Sequence, residues 1–565
     1  MPTDTNPVEM SPQTERIAFT LSETSFAQYP PLEIHDGAFP TLATPDMAPT
    51  PTLGGGQTSP MPYPISDAHT LPRGDSYVHG LSGVVGKMDP SNDVSSFMVQ
   101  AALAYPPPPH KNGPLVMVCS YTEFSDLAHG PRGTPAERAV RTYRLDLIDG
   151  SLTLLSALPK GFAHNPAFCR KHPHLNVVYS CTESVKQDGQ VLALKVDQKT
   201  GALSEHCPPV SAGGTSTCYL TIHKAARRML LVNYWDSTIC TLELLADGKI
   251  GRHLATYDPK QGREMKARAD KHVNHSLNDE KAQAERQGDP HSHAIVLEPT
   301  SGCIAYVPDL GMDVIRQFHF DEATGTVTPC GVIPSGIKAG KRGLGPRYLI
   351  FAKDTPTCYV VNELSSQVAV FSYDAGVAAS IAKTWEEVKG AQSITDGDNS
   401  SSSSSTSDDG ADDDKDMTPK PTTEELKADA MSAAMQKPTL TLIQTVSTVP
   451  EAFPFEMNTC GRVTLHPSGD FVITSNRGHD SVAVHRVHRD SSPPGMLTLA
   501  GIFHTRGETP RHFQFDRSGQ WLLVANQDSN TCAVFAFNTA TGRVTYTGNT
   551  YSCQSPNFVC VWDGA

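Results

Sequence analysis

Long apolar runs are missing from this chain of 565 residues. No stretch of about 18 apolar residues occurs, so no membrane-spanning helix is expected. The pattern Cys-x-x-Cys is missing too. The 13 cysteines are scattered and odd in number, which argues against zinc ribbons and thioredoxin-like sites. Buried, reduced thiols in a cytoplasmic protein are the expectation, with no metal and no cofactor. A basic surplus is absent as well. Asp and Glu number 60 against 46 Lys and Arg, a net charge of −14, whereas a nucleic-acid partner calls for a basic face. A small anionic substrate remains compatible, because a pocket can be locally basic inside an acidic protein. No apolar run follows the first basic residue, Arg16, so no secretory signal is expected. The terminal Trp562-Asp563-Gly564-Ala565 carries no retention or peroxisomal address.

Hydrophobic residues make up only 38% of the chain, which implies that part of it stays outside any core. Residues 1 to about 105 are rich in Pro, Thr, Ser and Gly without a period of 2 or 3.6, and Pro106–Pro109 follows directly. This reads as a disordered N-terminal arm ahead of one domain spanning 106–565. Two insertions interrupt that domain, at about 259–285 and about 390–437. The first mixes Lys, Arg, Glu and His. The second contains the serine and aspartate tract Asp396–Asp416, and then Thr422-x-x-Glu425, a capping box that predicts a short helix to about Lys437.

What remains repeats. Val232-Asn233-Tyr234, Val361-Asn362-Glu363, Ser475-Asn476-Arg477 and Ala525-Asn526-Gln527 each end a short β-branched or aromatic run. Weaker copies are Cys119-Ser120-Tyr121, Cys181-Thr182-Glu183 and Pro308-Asp309. Thr182 to Asn233 spans 51 residues, Asp309 to Asn362 spans 53, and Asn476 to Asn526 spans 50; the two longer intervals hold the insertions. After each marker comes an alternating strand, then in several copies a Thr-Gly or Asp-Gly turn such as Thr200-Gly201 or Thr541-Gly542. A period of about 50 in an all-β pattern predicts propeller blades, here seven of four strands each. A sandwich of short strands is the competing architecture, but it gives no reason for that period. Pro556–Trp562 resembles the first strand of a unit with nothing after it, and the unit starting near Leu115 lacks that strand. The C-terminal strand is therefore expected to complete the first blade and close the ring.

In a closed ring, equivalent repeat positions lie at similar radius and at the same end of the channel. The residue after the marker is one such set: Glu183, Tyr234, Leu310, Glu363, Arg477 and Gln527. The start of the innermost strand is another, where Gly345-Pro346-Arg347, Thr509-Pro510-Arg511 and His291-Ser292-His293 align. Together they bring His, Glu and Arg toward one mouth.

Five stretches in order then resemble the lactonase propellers, a family that includes bacterial 6-phosphogluconolactonases and the fungal carboxymuconate-lactonizing enzyme. They are Arg286–His293, Pro308–Asp313, Gly345-Pro346-Arg347, Asn362-Glu363-Leu364 and Ser475–Ser481. The resemblance runs from about Leu115 to Trp562. It implies His293 (or His291), Arg347, Glu363 and Arg477 as active-site residues. Arg347 and Arg477 would bind the substrate anion and the oxyanion, and His293 and Glu363 would share proton transfer. His291, Arg511, Asn362 and Asn476 are the candidates for substrate contact. The implied reaction is opening of a small anionic sugar lactone, with 6-phosphogluconolactone first. Cycloisomerisation of a carboxymuconate-type acid and a non-catalytic scaffold remain alternatives, and no protein partner is indicated. Two positions depart from the family: Tyr348 stands where relatives often carry His, and Gly461-Arg462 where they often carry a small residue and an acid.

The composition generates one test. Limited proteolysis should cut first within residues 1–105 and 396–416 and leave the propeller associated. Early cuts within Val361–Tyr373 would count against this division of the chain.

Overall fold

The computed structural model describes residues 113–259, 286–338, 342–398 and 438–562. Within them, seven four-stranded antiparallel sheets follow one another around a ring. Blade 1 consists of Leu115–Ser120, Val140–Leu145 and Leu152–Ala157, and its innermost strand, Pro556–Trp562, comes from the far end of the described chain. The innermost strands of blades 2 to 7 are Pro166–Lys171, Thr217–Ile222, Val296–Leu297, Pro346–Phe351, Thr459–Leu465 and Pro510–Phe515. Apart from the two-residue strand of blade 4, the inner strands of neighbouring blades touch around the central channel, and Pro556–Trp562 lies between those of blades 7 and 2. The expected closure by the C-terminal strand is thus the one observed, in the register Leu115↔Trp562 to Ser120↔Pro556.

Burial follows position within a blade. The second strands, such as Val177–Thr182 and Trp521–Asn526, are buried at every residue because neighbouring blades cover both of their faces. Such strands read as continuous β-branched and aromatic runs. Outer strands such as Val544–Ser552 face water on one side, where exposed and half-buried residues intermix.

All seven markers sit at the ends of these second strands and are buried: Ser120, Thr182, Asn233, Asp309, Asn362, Asn476 and Asn526. The four asparagines have one job in common. Each Nδ2 donates to a backbone carbonyl in the segment arriving from the preceding blade: Asn233 to Ala212 (3.1 Å), Asn362 to Ser335 (3.0 Å), Asn476 to Thr448 (2.7 Å) and Asn526 to Thr505 (2.9 Å). A buried carbonyl without a partner is costly, so this latch ties blade to blade. The repeat is strongest at this residue for that reason.

The second insertion departs from the expected boundary. A 24-residue helix, Ala375–Asp398, leaves the third strand of blade 5 well before residue 390. The Asp374 carboxylate accepts from the backbone N–H groups of Gly376 and Val377, an N-cap, and Ala378 and Ile381 bury against blades 4 and 5. Trp385 stacks on His319 at 5.1 Å. Only these first turns carry an apolar stripe, so the pattern was too short to read as a helix in sequence. The N-terminal arm, nearly all of the first insertion, most of the serine and aspartate tract and the helix expected from Thr422 lie outside the described residues.

Two outcomes test this architecture. Removing Pro556–Ala565 should lower the melting temperature sharply, since blade 1 loses its inner strand and two edges open; unchanged melting would overturn the closure. Asn476→Ala should cost about 1–3 kcal/mol in chemical denaturation, because it orphans the Thr448 carbonyl.

Candidate active site

The site begins with a fault in the ladder. In each blade a residue near the start of the inner strand region pairs with a marker, and the register then slips by one. Pro346 faces Asn362 but Tyr348 faces Val361, so Arg347 has no partner. The same slip leaves out Ala167, Cys218, Arg511 and Asn557. In blade 4 it falls between Ser292↔Asp309 and Val296↔Tyr306, and in blade 6 between Cys460 and Val463. A β-bulge re-aims the extra side chain, and here it aims His293, Arg347 and Arg511 at the channel. The expected equivalence of these three residues therefore rests on one backbone device. In five blades the residue two positions earlier adopts positive φ: Asn165, Ser216, Gly345, Thr509 and Ser555. Glycine suits that conformation at position 345, where an added Cβ would also meet the Leu364 side chain at 2.5 Å.

At one mouth of the channel lies a chamber of about 330 Å³. It is lined by the bulge residues Cys218, His293, Arg347 and Arg511 and by Glu183, Tyr234, Glu363 and Arg477, each following a marker. Arg286, where the described chain resumes after the first insertion, completes the charged lining, and His129, on the loop after Ser120, borders the chamber as well. Four guanidinium groups face two carboxylates, an excess of two positive charges in a chain of net charge −14.

Glu363 organises the cations. Arg347 Nε and Arg477 Nη2 each lie 2.9 Å from its Oε2, and Arg286 pairs with Oε1. Burial alone would raise this carboxyl. Arg286, Arg477 and Arg347 outweigh burial and hold it well below the usual carboxylate range. Burial in turn pulls Arg477 down to about 10, with Glu363 opposing. Arg347 and Arg477 also donate to the carbonyls of Gly461 and Cys460, which fixes their planes. A side chain at position 461 would be crowded, since a Cβ would meet the Ser475 hydroxyl at 2.6 Å and the Arg511 carbonyl at 3.0 Å.

Around this cluster the other groups differ in state. Burial, reinforced by Arg347, pushes His293 well below its ordinary value, so its imidazole is neutral. Tyr234 and Tyr348 meet it edge-on at 5.2 and 5.5 Å, and its Nδ1 lies 3.7 Å from the Cys218 thiol. Tyr348, at a family departure, is thus part of the packing that holds His293. The Arg511 guanidinium lies over the Tyr121 ring at 5.3 Å and has no ion pair among the described residues. A second recess of about 560 Å³ shares His129, Arg477 and Arg511 with the chamber and includes Gln527 in its wall.

The structure brings His293, Arg347, Glu363, Arg477 and Arg511 to one cavity and sends three candidates elsewhere. Asn362 and Asn476 do not line the chamber; their amides latch blades together. His291 is buried beside it, stacked on Tyr234 at 4.8 Å with Nδ1 bonded to the Tyr234 carbonyl at 3.1 Å. The surroundings of Glu363 bear on its expected share in proton transfer. A carboxylate enclosed by three guanidinium groups is a weak base, and its place is to neutralise and orient them. Sequence reasoning gave no role to Arg286, although it opens one of the quoted stretches. It missed His129 altogether, because a loop outside the repeat delivers it.

Comparison with known proteins matches residues 116–411 and 422–561 to the family described as lactonase, 7-bladed beta-propeller. The 6-phosphogluconolactonase of Bacillus subtilis (strain 168) is 24% identical over 397 residues, covering 70% of this chain and 86% of that protein. That of Formosa agariphila is 24% identical over 388 residues, 67% and 83% of the two chains. In fold, the structure of the periplasmic gluconolactonase of Pseudomonas aeruginosa matches with a TM-score of 0.56 at 21% identity, over 80% of this chain and 99% of that one.

The Glu363 cluster sets a pH-dependent stability. Its folded pKa is depressed, so its contribution is complete above the unfolded value of about 4.3 and fades as pH falls toward the folded value. Glu363→Gln should cost about 3–5 kcal/mol at pH 7, since it leaves buried cations uncompensated. Urea midpoints below about pH 4.3 should then show the gap to the unaltered protein closing.

Proposed function

The chain belongs to the seven-bladed β-propeller lactonase family, and from that premise we propose that it is a hydrolase that opens an anionic sugar lactone. The substrate favoured is 6-phospho-D-glucono-1,5-lactone, hydrolysed to 6-phosphogluconate. The observation that carries this reading is the chamber itself, where four guanidinium groups converge with a neutral imidazole and two carboxylates. A scaffold has no use for so many buried charges at a concave mouth. The excess of two positive charges suits a phosphomonoester, which carries nearly two negative charges at neutral pH.

Arg511 and Arg477 hold the substrate anion, and Arg347 faces the carbonyl oxygen where negative charge develops during ring opening. Glu363 keeps Arg347 and Arg477 in fixed orientation, so the cations are organised before substrate arrives. The neutral His293 offers a hydrogen bond to the ring oxygen that departs. All 13 cysteines are free thiols, which supports a reducing, cytoplasmic setting for this chemistry. Among the described residues no helix is long and apolar enough to cross a membrane.

Hydrolysis of glucono-1,5-lactone and its 6-phosphate, corrected for the spontaneous rate, tests the reading directly. Arg347 and Arg477 are poor first targets because their replacement also disturbs a buried ion-pair cluster. Arg511→Met is the cleaner variant: kcat/KM for the phosphorylated lactone should fall about 10- to 100-fold, chiefly through KM, with melting little changed. An unchanged kcat/KM in this variant would remove Arg511 from the site. Absence of any lactone hydrolysis by the unaltered protein would overturn the function.

A further inference from the structure

Two buried carboxylates occupy the same repeat position in different blades, and their surroundings are opposite. Glu363, in blade 5, is enclosed by three arginines. Glu183, in blade 2, has no arginine or lysine within ion-pair distance among the described residues. Its Oε2 accepts a 2.8 Å hydrogen bond from the Tyr121 hydroxyl, and its Oε1 lies 3.9 Å from His129 Nδ1. Burial keeps the Tyr121 phenol far above its ordinary value, so Tyr121 remains a donor and fixes the carboxylate without neutralising it. Only 4% of Glu183 is exposed, yet it lines the chamber.

It also lines a second, smaller space. Farther into the channel lies a cavity of about 10 Å³, bounded by Tyr121, Glu183, Cys218, His293, Arg347 and Arg511 among others. That volume is at the lower limit of what one water requires, and the walls supply the two to four polar partners such a water needs. Five of its residues, Glu183, Cys218, His293, Arg347 and Arg511, are shared with the chamber. The small cavity therefore adjoins the chamber through these shared walls.

We propose that this small cavity is the site of the hydrolytic water and that Glu183, not Glu363, is its general base. The inference rests on the lactonase reading given above. Glu183 accepts one proton from the water as the water oxygen bonds to the lactone carbonyl carbon. The carbonyl π electrons move onto its oxygen, which faces Arg347. Collapse of that oxyanion breaks the bond between the carbonyl carbon and the ring oxygen. The proton held by Glu183 passes to the departing ring oxygen, and the acid product then ionises, releasing one proton. Glu183 ends as it began.

Glu183→Gln keeps the shape and the Tyr121 contact but cannot accept a proton. With 6-phosphoglucono-1,5-lactone as substrate, its kcat should fall at least about 100-fold, the range of one general base, while KM changes by less than about threefold. Glu183→Ala opens room for a small carboxylate, and added formate should restore part of its turnover. Formate should not restore Glu363→Ala, whose defect is in the arrangement of cations. Rescue by formate cannot come from a side chain needed only for folding, and circular dichroism of each variant reports folding separately. If the unaltered protein hydrolyses the lactone and Glu183→Gln retains its kcat within a few-fold, the base assignment is wrong. A kcat loss that formate fails to restore also overturns it. If the unaltered protein does not hydrolyse lactones at all, the lactonase reading fails, and the base assignment fails with it.

Discussion

Everything at the channel mouth depends on closing the ring. Pro556–Trp562 pairs with Leu115–Ser120 along its whole length, broken only by the bulge at Asn557, so the last strand of the described chain is the innermost strand of the first blade. Without that pairing, blades 7 and 2 would lose the strand that lies between them, and two open edges would replace it. Closure also fixes radius. Once seven blades form a ring, residues at equivalent positions must face the same channel at the same depth. The asparagine latches then hold each blade against its predecessor.

Onto this scaffold the inner strands impose one local fault. A bulge after the first paired residue turns a single side chain per blade out of the ladder and into the channel. Blade sequences can then differ at that position without disturbing the sheet. Blade 2 has alanine there, blade 3 a thiol, blades 5 and 7 arginine. The asymmetry of the site comes from these substitutions on a symmetric frame, and it explains how a ring of like blades presents one charged cluster.

Within the cluster, burial and pairing compete. Placing Arg347, Arg477 and Arg286 around a buried site is costly, and Glu363 offsets that cost by forming an ion pair with each. The carboxylate gives up basicity in the exchange, since its negative charge is bound to cations. Glu183 forms no ion pair with an arginine or lysine among the described residues. Its hydrogen-bond partner is a neutral phenol, which positions the carboxylate.

Much of this was legible in the residues. The period near 50, the asparagine markers, the closing strand and the alignment of His293, Arg347 and Arg511 all follow from local backbone demands, which repeat wherever the same strand geometry repeats. The helix Ala375–Asp398 was not legible, because its apolar stripe lasts only a few turns against blades 4 and 5. Nor were the separate fates of Asn362 and Glu363, neighbours in one motif: the first turns between blades to a carbonyl, the second into the chamber. The sequence by itself determined the fold, the closure and which repeat positions look into the channel, since these depend on strand pattern and turn chemistry along the chain. Only the tertiary structure decided which charges neutralise one another. Arg286, Arg347 and Arg477 come from separate parts of the chain, and distance in space, not spacing in sequence, sets the Coulomb energy that makes Glu363 an anchor and leaves Glu183 free to act.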